Sequence, residues 1–217
     1  MPHDDYRRMA WCYDTLIEPF NRSLRPIALG VFQPAAYAAI LEIGCGTGMQ
    51  LAFYRDRGFN PMGIDLSGAM LTQARRRMGS DSALCRGNAA RLPFPAQSFD
   101  WAVTTLSLHE MAVETRAAVL VEIKRVIMPA GRLGVVDYHP EPAATLKGWV
   151  ARSMIRCIEF AAGRRHYNHY RQFLAEGGIP ALADRHGLAI EHHKRVSGGN
   201  IGIYRLRIDS QTFPDPA

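Results

Sequence analysis

One stretch of this 217-residue chain restricts its fold more than any other. Ala38-Ala39-Ile40-Leu41-Glu42-Ile43 runs straight into Gly44-Cys45-Gly46-Thr47-Gly48. A short apolar run reads as a strand covered on both faces, and three glycines at alternate positions read as a tight turn. A helix follows to about Arg57 and stops at Gly58. Strand, glycine turn and helix make the first half of a βαβ unit. A turn of this kind lets a ligand approach bare backbone at the carboxyl edge of a parallel sheet.

The same alternation continues along the chain. Pro61 to Asp65 reads as a second strand, and Ser67 caps a helix that ends near Gly79. Ala83-Leu84-Cys85 is a third strand and Phe99 to Leu106 a fourth. Residues 113–127 are helical, Pro129-Ala130-Gly131 is a turn, and Arg132 to Asp137 is a fifth strand. Residues 143–163 form an amphipathic helix, and 168–187 a further helix broken at Gly177-Gly178. Leu188–Val196 and Asn200–Ile208 pair as a hairpin across Ser197-Gly198-Gly199. Residues 6–33 read as helical with a break at Pro26, and the tail from Phe213 frays. Continuous apolar strands between helices predict a doubly wound α/β sheet.

Two acids flank the glycine turn. Glu42 lies inside the first strand and suits a cationic or amino-bearing ligand better than a pyrophosphate. Asp65 ends the second strand, where a carboxylate can accept both hydroxyls of a ribose. Met49 stands where a dinucleotide fingerprint has its third glycine. With no Tyr-x-x-x-Lys element, a nicotinamide-dependent oxidoreductase is the weaker alternative.

Several motifs, in order, resemble class I S-adenosylmethionine-dependent methyltransferases. Leu41-Glu42-Ile43-Gly44-Cys45-Gly46-Thr47-Gly48 is similar to their first motif, and Gly63-Ile64-Asp65-Leu66-Ser67 with Met70 to their second. Gly87-Asn88-Ala89, Leu92-Pro93-Phe94 and Ser98-Phe99-Asp100 resemble the third motif and the lead into the fourth. Arg125-Val126 with Pro129-Ala130-Gly131-Arg132 is similar to the turn before strand five. The nearest group is that of the ubiquinone/menaquinone-biosynthesis and phospholipid methyltransferases, which also carry a pair like Tyr13-Asp14. Two positions depart from the pattern: Asn88 stands for the usual Asp, and Ala130 for a Gly.

The resemblance implies a Rossmann-like, seven-stranded, mostly parallel sheet with an antiparallel last strand, in a single domain. It implies a helical lid at 1–35, a cofactor core at 36–138, a helical lid insertion at 139–171 and a terminal helix and hairpin at 172–217. The cofactor is S-adenosyl-L-methionine, leaving as S-adenosyl-L-homocysteine. Gly44, Cys45, Gly46 and Gly48 would line its methionine part, with Glu42 orienting the loop or the amino group. Asp65 would take the ribose, Leu66, Asn88 and Ala89 the adenine, and Leu106 would lie beneath the sulfur. Tyr13, His109, Tyr138 and His139 face the acceptor, and His109 is the candidate general base.

Composition and charge narrow the partners. Pro26 to Leu41 is the longest uncharged stretch, too short to span a membrane and interrupted by Pro34. The scattered cysteines Cys12, Cys45, Cys85 and Cys157 form no CxxC pair, so no structural zinc or disulfide framework is expected, and a cytoplasmic setting is. His166 and His169 have metal-pair spacing but no evident acidic partner nearby, so no metal is expected. The fourth strand lacks an Asn/Asp-Pro-Pro-Tyr element, which argues for a small-molecule or lipid acceptor and against nucleic acid. The net charge of +6 concentrates in residues 143–171, with six basic residues against Glu159. There Leu146, Trp149, Val150, Ser153, Met154, Cys157, Ile158 and Ala161 share one helix face. That face is expected to close the acceptor pocket, and the basic residues to meet an acidic substrate or an anionic membrane surface. The rival expectation is a helix packed on the core with solvated arginines.

Overall fold

The computed structural model describes residues 18–19, 21–79, 82–141 and 145–208. Tyr6, Cys12, Tyr13, Asp14 and the tail from Phe213 lie outside these described residues. Seven strands form one sheet: β1 Ala39–Ile43, β2 Asn60–Asp65, β3 Leu84–Arg86, β4 Phe99–Thr105, β5 Ile127–Tyr138, β6 Leu188–Val196 and β7 Ile201–Ile208. Their order is β3-β2-β1-β4-β5-β7-β6. β1 to β5 run parallel, and β7 lies antiparallel between β5 and β6. In β1 the consecutive residues Ile40, Leu41, Glu42 and Ile43 are all buried, so both faces of the sheet are covered there.

The helices are α1 Leu24–Phe32, α2 Met49–Arg55, α3 Gly68–Met78, α4 Val113–Val126, α5 Leu146–Ala161, α6 Arg164–Ala175 and α7 Gly178–Arg185. Pro26 sits in the first turn of α1, where a missing N–H costs nothing. The Ser67 hydroxyl caps α3 by accepting the Met70 N–H at 3.2 Å. The predicted break at Gly177-Gly178 separates α6 from α7, with both glycines at positive φ.

Two expectations are corrected. Pro129-Ala130-Gly131 is no turn between separate elements, because β5 runs through it. The register jumps from Phe99 opposite Ile127 to Trp101 opposite Arg132, so the segment bulges within the strand. The second correction concerns α5. Its apolar stripe does not close a pocket: Leu146, Trp149, Val150, Met154 and Ile158 are exposed, and so is Phe160. The inward face instead presents Gly148, Ala151, Arg152, Ile155 and Glu159.

The topology fixes where a ligand can sit. β1 pairs β2 on one side and β4 on the other, so the strand order reverses at β1. The loops after β1 and β4 therefore flank the crevice at the carboxyl ends of the strands.

Candidate active site

The glycine loop is stitched to the end of β2. Gly44, Gly46 and Gly48 take φ of 70°, 53° and 77°, values that a residue with a Cβ rarely adopts. The Gly44 and Cys45 N–H groups donate to the Ile64 carbonyl at 2.9 and 3.1 Å. The Gly46 N–H donates to Asp65 Oδ2 and the Ser67 N–H to Asp65 Oδ1, both at 2.8 Å. The loop forms one wall of a cleft whose lining also includes Glu18, Arg25, Glu42, Gln50, Thr105 and Val136.

The polar atoms in this cleft call for a polar ligand. Glu42 is 3 % exposed, and its Oε2 has no hydrogen-bond partner among the described residues. Burial pushes its carboxyl well above the usual carboxylate range, against the lowering influence of Arg25 and with a further rise from Asp65. Thr105 Oγ1 is likewise buried without a partner among the described residues. Arg25 forks onto Glu18 through two 2.5 Å contacts. A buried polar atom without a partner costs about 1–3 kcal/mol, which a ligand's own hydrogen bonds would offset.

A second cluster lies past β4 and β5, away from this cleft's lining. Asp137, fully buried, accepts the Leu108 and His109 backbone N–H groups on Oδ2 at 3.1 and 3.3 Å. Its Oδ1 lies 2.7 Å from His109 Nδ1. On the other side of the His109 ring, Nε2 is 3.5 Å from Glu159 Oε2 of α5. Glu159 also accepts the Tyr138 hydroxyl at 2.8 Å and faces His166 Nε2 at 2.6 Å. Burial lowers the His109 pKa, but the two carboxylates outweigh it and push it up to about 10. Burial likewise raises the Glu159 carboxyl, and its three donors overcome that and hold it far below the usual range. With its pKa raised between two carboxylates, the His109 imidazole holds its Nε2 proton and offers no free lone pair for an acceptor's proton unless another cation displaces that proton. This arrangement suits orientation rather than the general-base role expected of His109.

The "Methyltransferase domain" family profile matches residues 41–135, the span from β1 into β5. Demethylmenaquinone methyltransferase of Paenarthrobacter aurescens is 33% identical over 203 residues, covering 89% of this chain and 79% of that protein. The chain belongs to the class I S-adenosylmethionine-dependent methyltransferases, in the menaquinone-related group. The Beutenbergia cavernae demethylmenaquinone methyltransferase is 27% identical over 94% of this chain and 88% of its own length. An S-adenosylmethionine-dependent methyltransferase of Mesorhizobium loti shares the fold with a TM-score of 0.60 at 20% identity, over 84% of this chain and 96% of that one. Membership of this group makes the chain an enzyme that uses S-adenosylmethionine, and the nicotinamide alternative falls away. The cleft fits that cofactor: a glycine-lined wall and the Glu42 and Thr105 oxygens, without partners among the described residues, suit an amino acid end, and the Asp65 carboxylate behind Gly46 suits a ribose.

The structure brings some of the expected residues together and separates others. Glu42, Gly44, Cys45 and Gly46 line the cleft. Gly48 instead opens α2, where an added Cβ would press on Ala74 at 3.1 Å. Asp65 stands behind Gly46, and Leu66 is exposed beyond it. The Asn88 side-chain oxygen accepts the Ala90 N–H at 2.9 Å, an Asx turn that places Ala89. Leu106 takes a positive φ of 50°, and its N–H donates to the Val136 carbonyl at 2.7 Å. Tyr138 joins His109. His139 does not: its ring stacks against Tyr204 at 6.5 Å and its Nδ1 accepts the Glu141 N–H. His166 and His169 also part company, since His169 Nδ1 donates to the Glu110 carbonyl. Sequence reading missed Arg25, Glu18 and Thr105 in the cleft, and Glu159 in the second cluster. For Glu159 a signal existed, because it is the lone acid among residues 146–175.

Proposed function

We propose that this methyltransferase methylates a small aromatic acceptor of the quinol class, taken from the surface of an anionic membrane. The exposed apolar face of α5 carries the reading. Trp149 and Phe160 are 53% and 66% exposed. Lys147, Arg156, Arg164 and Arg165 are exposed around that face, and the stretch 146–175 presents no exposed acid. An apolar helix face with a cationic rim suits the headgroup region of an anionic bilayer. No helix among the described residues is long and apolar enough to cross a membrane, so the contact is peripheral. The relatives named for demethylmenaquinone supply the acceptor class, and demethylmenaquinol is the first compound to test.

The chain's own contribution is binding, alignment and exclusion of water. The cofactor supplies an activated methyl carbon when bound. Gly44 to Gly46 present backbone to its amino acid end, and Glu42 and Thr105 offer it oxygens that have no partner among the described residues. Asp65 takes the ribose hydroxyls, Leu66 and Ala89 flank the adenine, and Leu106 backs the sulfur. Glu18, Asn21, Leu24, Arg25 and Ala28 line the cleft from the N-terminal side. Tyr138 and His109 shape the acceptor side, and α5 and α6 cover it through Glu159 and His166.

The test combines transfer and location. Methyl transfer from labelled S-adenosylmethionine to demethylmenaquinol should be faster in anionic than in zwitterionic vesicles. Sedimentation with anionic vesicles should fall as salt rises. Efficient transfer to water-soluble quinols with no vesicle binding at low salt would remove the membrane from the reading.

A further inference from the structure

The His109 cluster contains more than a lid contact. One donor atom from each of His109, Glu159 and His166 lies within 4.8 Å of the others. The three come from separate elements: the loop after β4, the inner face of α5, and the first turn of α6. We propose that His109, Glu159 and His166 form a binding site for a divalent transition-metal ion, of the zinc type.

The strongest support is the arrangement of the atoms that face away from the site. His109 Nδ1 is held by Asp137 Oδ1 at 2.7 Å, which leaves Nε2 pointing at Glu159. Glu159 Oε1 accepts the Tyr138 hydroxyl at 2.8 Å, which leaves Oε2 pointing inward. His166 Nδ1 is 3.5 Å from Glu110 Oε2, while Nε2 faces Glu159 Oε2. His109 and Glu159 thus have their other polar atom hydrogen-bonded, and His166 has a carboxylate 3.5 Å from its Nδ1, the kind of supporting shell that orients metal-binding histidines and carboxylates.

Charge and geometry agree. The carboxylates of Asp137, Glu159 and Glu110 surround two imidazoles, so the cluster favours positive charge at its centre, and a bound ion would supply it in place of the His109 Nε2 proton, which is released to solvent. Zinc–ligand bonds of about 2.0–2.2 Å put tetrahedral ligand atoms roughly 3.3 Å apart. His109 Nε2 and Glu159 Oε2 already stand at 3.5 Å. His166 Nε2 is closer, at 2.6 Å, and its ring would withdraw by under an ångström along half-buried α6. Two histidines and one glutamate match a three-ligand zinc site with an open fourth position. The ion would tie α5 and α6 to the end of β4 and so fix the outer helices independently of any bound cofactor.

The test uses the full chain carrying Cys157→Ser, so that an exposed thiol does not compete for metal. After stripping with chelator it is titrated with Zn²⁺ by calorimetry and with Co²⁺ by visible absorption. One Zn²⁺ per chain, intense four-coordinate Co²⁺ bands and a raised melting temperature are expected. His166→Gln should abolish the bands, and Tyr138→Phe should weaken affinity about 10- to 100-fold. His193→Gln, on exposed β6, should change nothing. Glu159→Gln repeats the test if it folds, and His166→Gln decides if it does not. Absence of saturable Zn²⁺ binding overturns the site. So does binding that His166→Gln leaves unchanged in a folded protein. Neither result bears on methyl transfer, so this proposal fails separately from the acceptor reading.

Discussion

The Gly46 backbone N–H donates to the Asp65 carboxylate across 2.8 Å, joining the glycine loop after β1 to the end of β2. One side chain therefore fixes the loop and, on our reading, takes the ribose. Asp65→Ala loses both functions. Charge-assisted hydrogen bonds contribute about 1.5–3 kcal/mol each, so S-adenosylhomocysteine should bind at least about tenfold more weakly. Calorimetry gives the answer, and unchanged affinity would take Asp65 out of the cofactor site.

Glu42 predicts a pH dependence. Its folded pKa is raised, chiefly by burial, so the folded state holds its proton more tightly than the unfolded chain. This contribution to stability is intact below the ordinary carboxylate pKa and is lost as pH rises through the folded value. Glu42→Gln removes the titration. Its stability relative to the parent, from urea unfolding without cofactor, should therefore increase from pH 5 to pH 8. A difference independent of pH contradicts the account.

Glu159 holds α5 to the core. Breaking a buried ion pair from one side costs roughly 3–5 kcal/mol, because the partner charge stays buried. Glu159→Gln should fall in that range, and Tyr138→Phe near about 1 kcal/mol. Urea unfolding in excess chelator tests the ordering, and equal small losses would mean that α5 is not anchored here.

The outer face of α5 predicts the opposite pattern. Trp149→Ala and Phe160→Ala remove side chains that touch little of the core, so stability should change by no more than about 0.5 kcal/mol. Binding to anionic vesicles should drop sharply in the same variants. A loss of about 3–5 kcal/mol would instead mark a packed core face.

Much of this could be read from the chain, because local signals and topology coincide. The β1–Gly44 turn, the Ser67 cap and the hairpin at Ser197-Gly198-Gly199 each carry their own turn chemistry. The direction of α5 could not be read the same way. Periodicity says which residues share a face and not which way that face points. The choice was made by Glu159, whose partners His109 and Tyr138 lie far away in sequence. Arg25 was missed for a related reason. It reaches the cleft from α1, ahead of the motif region, and only the packing of α1 beside the sheet brings it to Glu42.

The most direct measurement is a crystal structure with S-adenosylhomocysteine. The amino acid end of the ligand should lie between Gly44–Gly46 and Arg25, near Glu42 and Thr105, with its ribose hydroxyls on Asp65. Ligand density anywhere else, with the Gly44–Gly48 cleft left to solvent, would contradict it.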